Sequence, residues 1–308
     1  MFNPRFRQAA AALSSAALLL AAAQALAEPA PAAEGATAAG GVTVTLVPGA
    51  WPVPEAPHVL NVLTQTADAL LRHVGAPPRA VVEVGRASGG PGVSYRRDPA
   101  DPYRVAVTAG YGQWPQMIYE FGHELCHVLS RFDAGASRRA PHPHQWFEEA
   151  LCEAAALFAL RVLARDWAEP SLGTHARAHA RAMTQYAQTL RDEDHRSPAP
   201  HASLAAWYAA NRGALARSPY YRARNEVVAN ALLDYFEQNP RRWAVLVNLN
   251  ADPAAASATF RDYLQHWCDA TPEPERPAVM DVMAMLGVPA AASPRESSAA
   301  RQLAGGER

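Results

Sequence analysis

A chain of 308 residues with 49% hydrophobic side chains has room for one large domain or two modest lobes around a buried core. Its formal net charge of −1 supplies no basic field, which argues against a nucleic-acid binder or an anionic-membrane binder. All 28 basic residues are arginine, which excludes Schiff-base catalysis and a phosphate loop built on lysine.

The first elements are not part of the fold. Arg5 and Arg7 precede an Ala/Leu-rich run, Ala9 to Ala23, and Ala25-Leu26-Ala27 has the small-x-small form of a cleavage site. Residues 1–27 therefore read as a secretory signal peptide. The run is short for a membrane span of about 20 residues, so the mature chain is expected to be exported to the periplasm or beyond, with no integral span. Export makes disulfides available to Cys126, Cys152 and Cys268, but an odd set leaves at least one thiol over. No CxxC pair exists, which excludes a cysteine-rich zinc finger.

Residues 28–41, rich in Pro, Ala and Gly, are expected to form a flexible leader. Val42 to Val47, Ala80 to Val84, Val93-Ser94-Tyr95 and Tyr103 to Thr108 read as strands. Between the first two, residues 58–74 place Leu60, Leu63, Ala67, Leu70, Leu71 and Val74 at helical spacing. These elements make a small strand-rich lobe over 42–112. From Trp114 the pattern turns helical, with helices expected over 114–131, 145–167, 174–192, 201–213, 222–238, 255–268 and 275–286. The helical lobe thus spans 113–288, and residues 289–308 read as a disordered tail. The fold class is α+β, a small mixed sheet beside a predominantly helical lobe.

The segment His123-Glu124-Leu125-Cys126-His127 carries the chemistry. Histidines at i and i+4 stand one turn apart on one helix face, so both imidazoles can reach one metal ion. Glu124 is placed to take a proton from a water that the metal polarises. With 11 histidines in the chain, chance supplies about 0.02 such matches. The context agrees, because Trp114, Met117, Ile118, Phe121, Leu125, Val128 and Leu129 form an apolar stripe roughly opposite the histidines.

A catalytic zinc needs a third protein ligand and one open position. The next helix, from Trp146, is apolar on all sides and so reads as buried. Glu148, Glu149 and Glu153 at its start need a partner or a metal. Glu149 and Glu153, at i and i+4, suit a ligand and its supporting partner. Asp133 is a competitor, placed as in zincins with a nearby aspartate ligand, but Ser130 stands where a turning Gly is needed. His142 and His144 are weaker candidates in a Pro-rich loop.

On HExxH and Trp146-x-x-Glu149-x-x-x-Glu153, residues 93–165 resemble the gluzincin metallopeptidases, the thermolysin-like and large-aminopeptidase group. Ala150 and Cys152 depart from the family's usual Gly and Ala, and 21 residues separate His127 from Glu149. The resemblance implies a zincin-like fold and Zn²⁺ on His123, His127 and Glu149 in a cleft between the lobes. It further implies Glu124 as general base and Glu153 bonded to a ligand histidine. The strand Tyr103–Thr108 would be the sheet edge on which an extended substrate pairs. A Tyr or His beyond the glutamate helix stabilises the oxyanion in such enzymes, which nominates Tyr220 and Tyr221, with Tyr221 taken as the catalytic one. Cys126 and Cys152 flank ligands on the two helices, either as a disulfide or as small packing thiols.

The expected function is hydrolysis of peptide or protein substrates by a zinc metallopeptidase. The rivals are an inactive zincin-like scaffold in the envelope and a zinc amidase on non-protein amides.

Overall fold

The computed structural model describes residues 35–290 except 38, 76, 78, 95–97, 99 and 134–141. The expected signal peptide, Tyr95 and the expected tail beyond 290 lie outside the described residues.

The sheet runs in the order β1 (Gly35–Thr37), β2 (Val42–Leu46), β3 (Ala80–Arg86), β5 (Tyr103–Val107), β4 (Gly92–Ser94). The three central strands are parallel, with Val44 opposite Val82 and Val84 opposite Val105, and both outer strands are antiparallel. Alternation decides the faces. Val42, Val44, Val82, Val84, Tyr103, Val105 and Val107 are buried. The intervening positions carry Thr43, Thr45, Glu83 and Arg104, the last two forming an ion pair at 3.6 Å.

Two sequence expectations are corrected here. Gly35–Thr37, inside the expected leader, pairs with Thr43–Thr45, because the turn at Gly40 and Gly41, both at positive φ, folds it back onto β2. The strand Tyr103–Val107 is not an edge, since Gly92–Ser94 pairs along Arg104–Ala106 and takes that place.

The helices are α1 (Ala56–Leu71), α2 (Trp114–Leu129), α3 (Gln145–Trp167), α4 (Gly173–Arg191), α5 (Leu204–Arg217), α6 (Arg222–Gln238), α7 (Phe260–Ala270) and α8 (Arg276–Met285). Both α1 and α2 begin with Pro in the first turn, where its missing N–H costs no hydrogen bond. A 3-10 run over Pro240–Asn248 went unforeseen. Its mark is the spacing of three between buried Trp243, Leu246 and Leu249.

Helix α3 is the axis of the molecule. It buries 18 of its 23 residues and packs against α1, α2, α4 and α6. Its alanines let α2 come close: a Cβ on Gly122 would meet the Ala156 Cα at 3.3 Å. One continuous core joins the sheet to the helices. Among the described residues no helix is long and apolar enough to cross a membrane.

Candidate metal centre

Helix α2 presents His123 and His127 toward the first turns of α3. The Nε2 atoms of the two histidines lie 3.3 Å apart. Glu149 Oε2 lies 3.3 Å from His123 Nε2 and 3.7 Å from His127 Nε2. A tetrahedral ion with ligands at about 2.0–2.1 Å requires edges of about 3.3–3.4 Å between donor atoms. The triangle of two imidazole nitrogens and one carboxylate oxygen matches that size, and the trio can hold a metal ion.

A carboxylate stands behind each histidine, in hydrogen-bond contact at His127 only. His127 Nδ1 meets Glu148 Oε1 at 2.7 Å, and Glu148 also accepts from Ser130 Oγ at 3.1 Å and Asn250 Nδ2 at 3.0 Å. His123 Nδ1 lies 3.8 Å from Glu153 Oε2. Glu153 in turn accepts from the Tyr119 hydroxyl and from Arg196 Nη2 at 2.8 Å. Carboxylates at the outer ring nitrogen fix tautomer and ring orientation, leaving Nε2 free to ligate. The expected hydrogen bond between Glu153 and a ligand histidine is not formed at 3.8 Å, and Glu148, which sequence reasoning missed, makes the bond to His127 instead. Adjacent glutamates on a helix point about 100° apart, and sequence alone does not say which one reaches a given ring.

Charge in the site follows from burial and neighbours. Burial disfavours the charged His127 ring, yet Glu149 and Glu148 overcome it and hold the imidazole well above its ordinary value. Burial likewise opposes a charged Glu149, but His127 and His123 hold its carboxyl well below the usual carboxylate range. Two carboxylates about one imidazole create a demand for positive charge that a divalent cation meets. Glu124 differs: burial pushes its carboxyl up, against the pull of His123 and His127. Glu153 is held at about 2, because Arg196 and Arg222 outweigh the effect of its burial.

Glu120, one turn before Glu124, fastens α2 to the end of β5. Its carboxylate accepts from Thr108 N at 2.6 Å, Ala109 N at 3.0 Å and Gln116 Nε2 at 2.8 Å, and from the Thr108 hydroxyl. The strand end is therefore indexed to the helix that carries the histidines.

The competing ligands go elsewhere. Helix α2 ends with Arg131 at φ 60°, the Arg131 and Phe132 amides donating back to Val128 O and His127 O, each at 3.2 Å. This is a Schellman turn without glycine. It delivers Asp133 to the Tyr103 hydroxyl at 3.0 Å instead of to the histidines. His144 Nε2 donates to Ala258 O, 2.7 Å away, and the ring packs on Phe260 and Tyr263; His142 packs on His144 and Tyr263.

Two further expectations need correction. Tyr221 lies under the Arg224 guanidinium, 4.9 Å from its ring centre, whereas burial and then Glu149 push the equally exposed Tyr220 hydroxyl up, opposed by His127. The turn before α6 decides between the neighbours, and no sequence signal distinguishes them. Cys126 and Cys152 are free, buried thiols, so they pack the α2–α3 interface without a bridge.

Comparison of the chain with protein-family models, curated proteins and solved structures gives no match. The functional assignment accordingly rests on geometry and chemistry alone.

Proposed function

We propose that this protein is a zinc-dependent metallohydrolase of the gluzincin type, with a zincin-like arrangement, that cleaves peptide bonds. The observation that carries the proposal is the donor triangle of His123, His127 and Glu149, with edges of 3.3, 3.3 and 3.7 Å. Two imidazoles and one carboxylate suit zinc, and three protein donors leave one position of a tetrahedron open. Zinc bound there would polarise a substrate carbonyl and bring a water molecule toward deprotonation near neutral pH.

The chain's own residues supply the rest. Glu124, next to His123 and raised by burial, takes the proton of the attacking water and returns it to the leaving amine. Glu148 holds the His127 ring in register, and the Glu153 carboxylate stands behind His123. Tyr220, 36% exposed beside Glu149, donates to the oxygen on which negative charge develops. The signal segment at 1–27 supports action outside the cytoplasm.

Replacing Glu124 by Gln tests the proposal. The variant should keep its zinc and its fold while peptide hydrolysis falls by about 10²–10⁴. Profiling the wild type against peptide and cell-wall amide substrates separates a peptidase from an amidase. Full biological effect from the Gln variant would contradict catalysis as the function and favour a scaffold.

A further inference from the structure

Glu148 is itself held from a distant part of the chain. Its Oε1 accepts from His127 Nδ1 at 2.7 Å, and its Oε2 accepts from Asn250 Nδ2 at 3.0 Å. Asn250 lies just beyond the 3-10 run Pro240–Asn248, 102 residues after Glu148. The Tyr263 hydroxyl, on α7, meets Asn250 Oδ1 at 3.0 Å. Tyr263 is buried, and its ring packs on His142 and His144, just ahead of α3. Tyr263, Asn250, Glu148 and His127 therefore form one hydrogen-bonded line from α7 to the metal centre.

The direction of every bond in this line is set by donor chemistry. An ionised carboxylate only accepts, so Asn250 must turn its nitrogen, not its oxygen, to Glu148. The amide oxygen is then left to Tyr263, which donates to it. Burial pushes the Tyr263 hydroxyl well up, and Glu148 adds to the effect, so the hydroxyl keeps its hydrogen. At the other end the same carboxylate needs a hydrogen on His127 Nδ1. Nε2 is the nitrogen left to face His123 and Glu149. Without the Tyr263 hydroxyl, the Asn250 amide is free to turn over and set its oxygen against Glu148, acceptor against acceptor. The tyrosine thus reaches the orientation of a ligand histidine through the groups between them.

We propose that Asn250 and Tyr263 are positioning residues that fix the His127 ring through Glu148, which makes the segment from 250 to 263 part of the metal centre although it supplies none of the three ligands. The role rests on the metal centre proposed above. Both residues act only through Glu148.

The test uses the mature protein with Tyr263→Phe, which removes only the hydroxyl, with Asn250→Leu, which keeps the shape and removes both amide groups, and with the two changes together. Zinc affinity is read by competition with a chromophoric chelator. The ring hydrogens of His123 and His127 are read by NMR of the zinc-loaded, nitrogen-15-labelled protein. Asn250→Leu should weaken zinc binding by about tenfold, the low end for loss of a group behind a metal ligand. Tyr263→Phe should weaken it by roughly two- to tenfold, as loss of one neutral hydrogen bond does. In the Asn250→Leu background, Tyr263→Phe should weaken it no further. The His127 Nδ1–H resonance should move in each variant while that of His123 stays in place, which a general loosening of the fold would not produce. Unchanged zinc affinity in Tyr263→Phe, with an unmoved His127 resonance, overturns the inference while leaving the metal centre standing, as does an additive loss in the double variant. Tyr263→Phe decides alone if Asn250→Leu does not fold. Failure of the wild type to bind zinc overturns both.

Discussion

Gly122 sets the distance between the two helices that carry the donor triangle, and enlarging it should open the triangle. A Cβ at this position would stand 3.3 Å from Ala156 Cα, 3.6 Å from Ala159 Cβ and 3.8 Å from Thr66 Cγ2. Ala156 Cα is backbone and cannot swing aside. For Gly122→Ala, the tight contact offsets a gain of about 1 kcal/mol in helix propensity, so stability should change little. Gly122→Val adds two more methyl groups against α1 and α3, and overpacking of this kind costs about 1–3 kcal/mol. For a domain of this size each kcal/mol corresponds to about 2–4 °C in Tm, so the metal-free variant should melt roughly 2–12 °C lower. Separating α2 from α3 by about 1 Å would lengthen the 3.3 Å edge from His123 to Glu149 beyond the tetrahedral value of about 3.3–3.4 Å and widen the 3.7 Å edge from His127 further. Zinc affinity should then fall by tenfold or more, on the order of the effect of removing a supporting partner. Thermal unfolding of the apo-protein, followed separately by zinc titration against a chelator, distinguishes the two effects. A folded Gly122→Val protein with wild-type zinc affinity would refute the claim that the α2–α3 approach sizes the site.

Two further outcomes follow from the groups behind the histidines. Glu148→Ala removes the partner of His127 Nδ1 and leaves Asn250 Nδ2 without its acceptor, while Ser130 Oγ keeps His127 O at 3.0 Å; zinc affinity should fall by about 10–100-fold, more than in Asn250→Ala, as measured by chelator competition. Glu153, held at about 2 by Arg196 and Arg222, is depressed from its ordinary 4.5. Its contribution to stability is therefore complete above about pH 4.5 and is lost as pH falls toward 2. Acid unfolding of the apo-protein followed by circular dichroism should show less pH dependence over that interval in Glu153→Gln, and an unaltered curve would contradict the ion network.

Much of the arrangement is legible in the sequence because period and composition coincide. The stripe from Trp114 to Leu129 marks α2 and leaves His123 and His127 on its other side. The all-round apolar run after Trp146 marks α3 as central, and its few carboxylates stand out as groups that need partners. The missing parts depend on directions that sequence does not encode. Glu148 and Glu149 are chemically alike, and only the packing of α3 on α2 assigns one to Nδ1 of His127 and the other to the two Nε2 atoms. Tyr220 and Tyr221 likewise differ only in the turn that precedes α6. The strand expected from Val93 is present as β4, Gly92–Ser94, but three residues carry too little pattern to say that it pairs outside β5. Asp133 is diverted by Arg131 in a left-handed conformation, a position where glycine is the usual signal.

The most direct test of the central claim is the metal content of the purified mature chain, measured by elemental analysis beside His123→Ala and Glu149→Ala. The wild-type chain should carry one zinc, and both variants should lose most of it with the fold retained. A wild-type chain that binds no divalent metal, or variants that keep it in full, would contradict the metal centre.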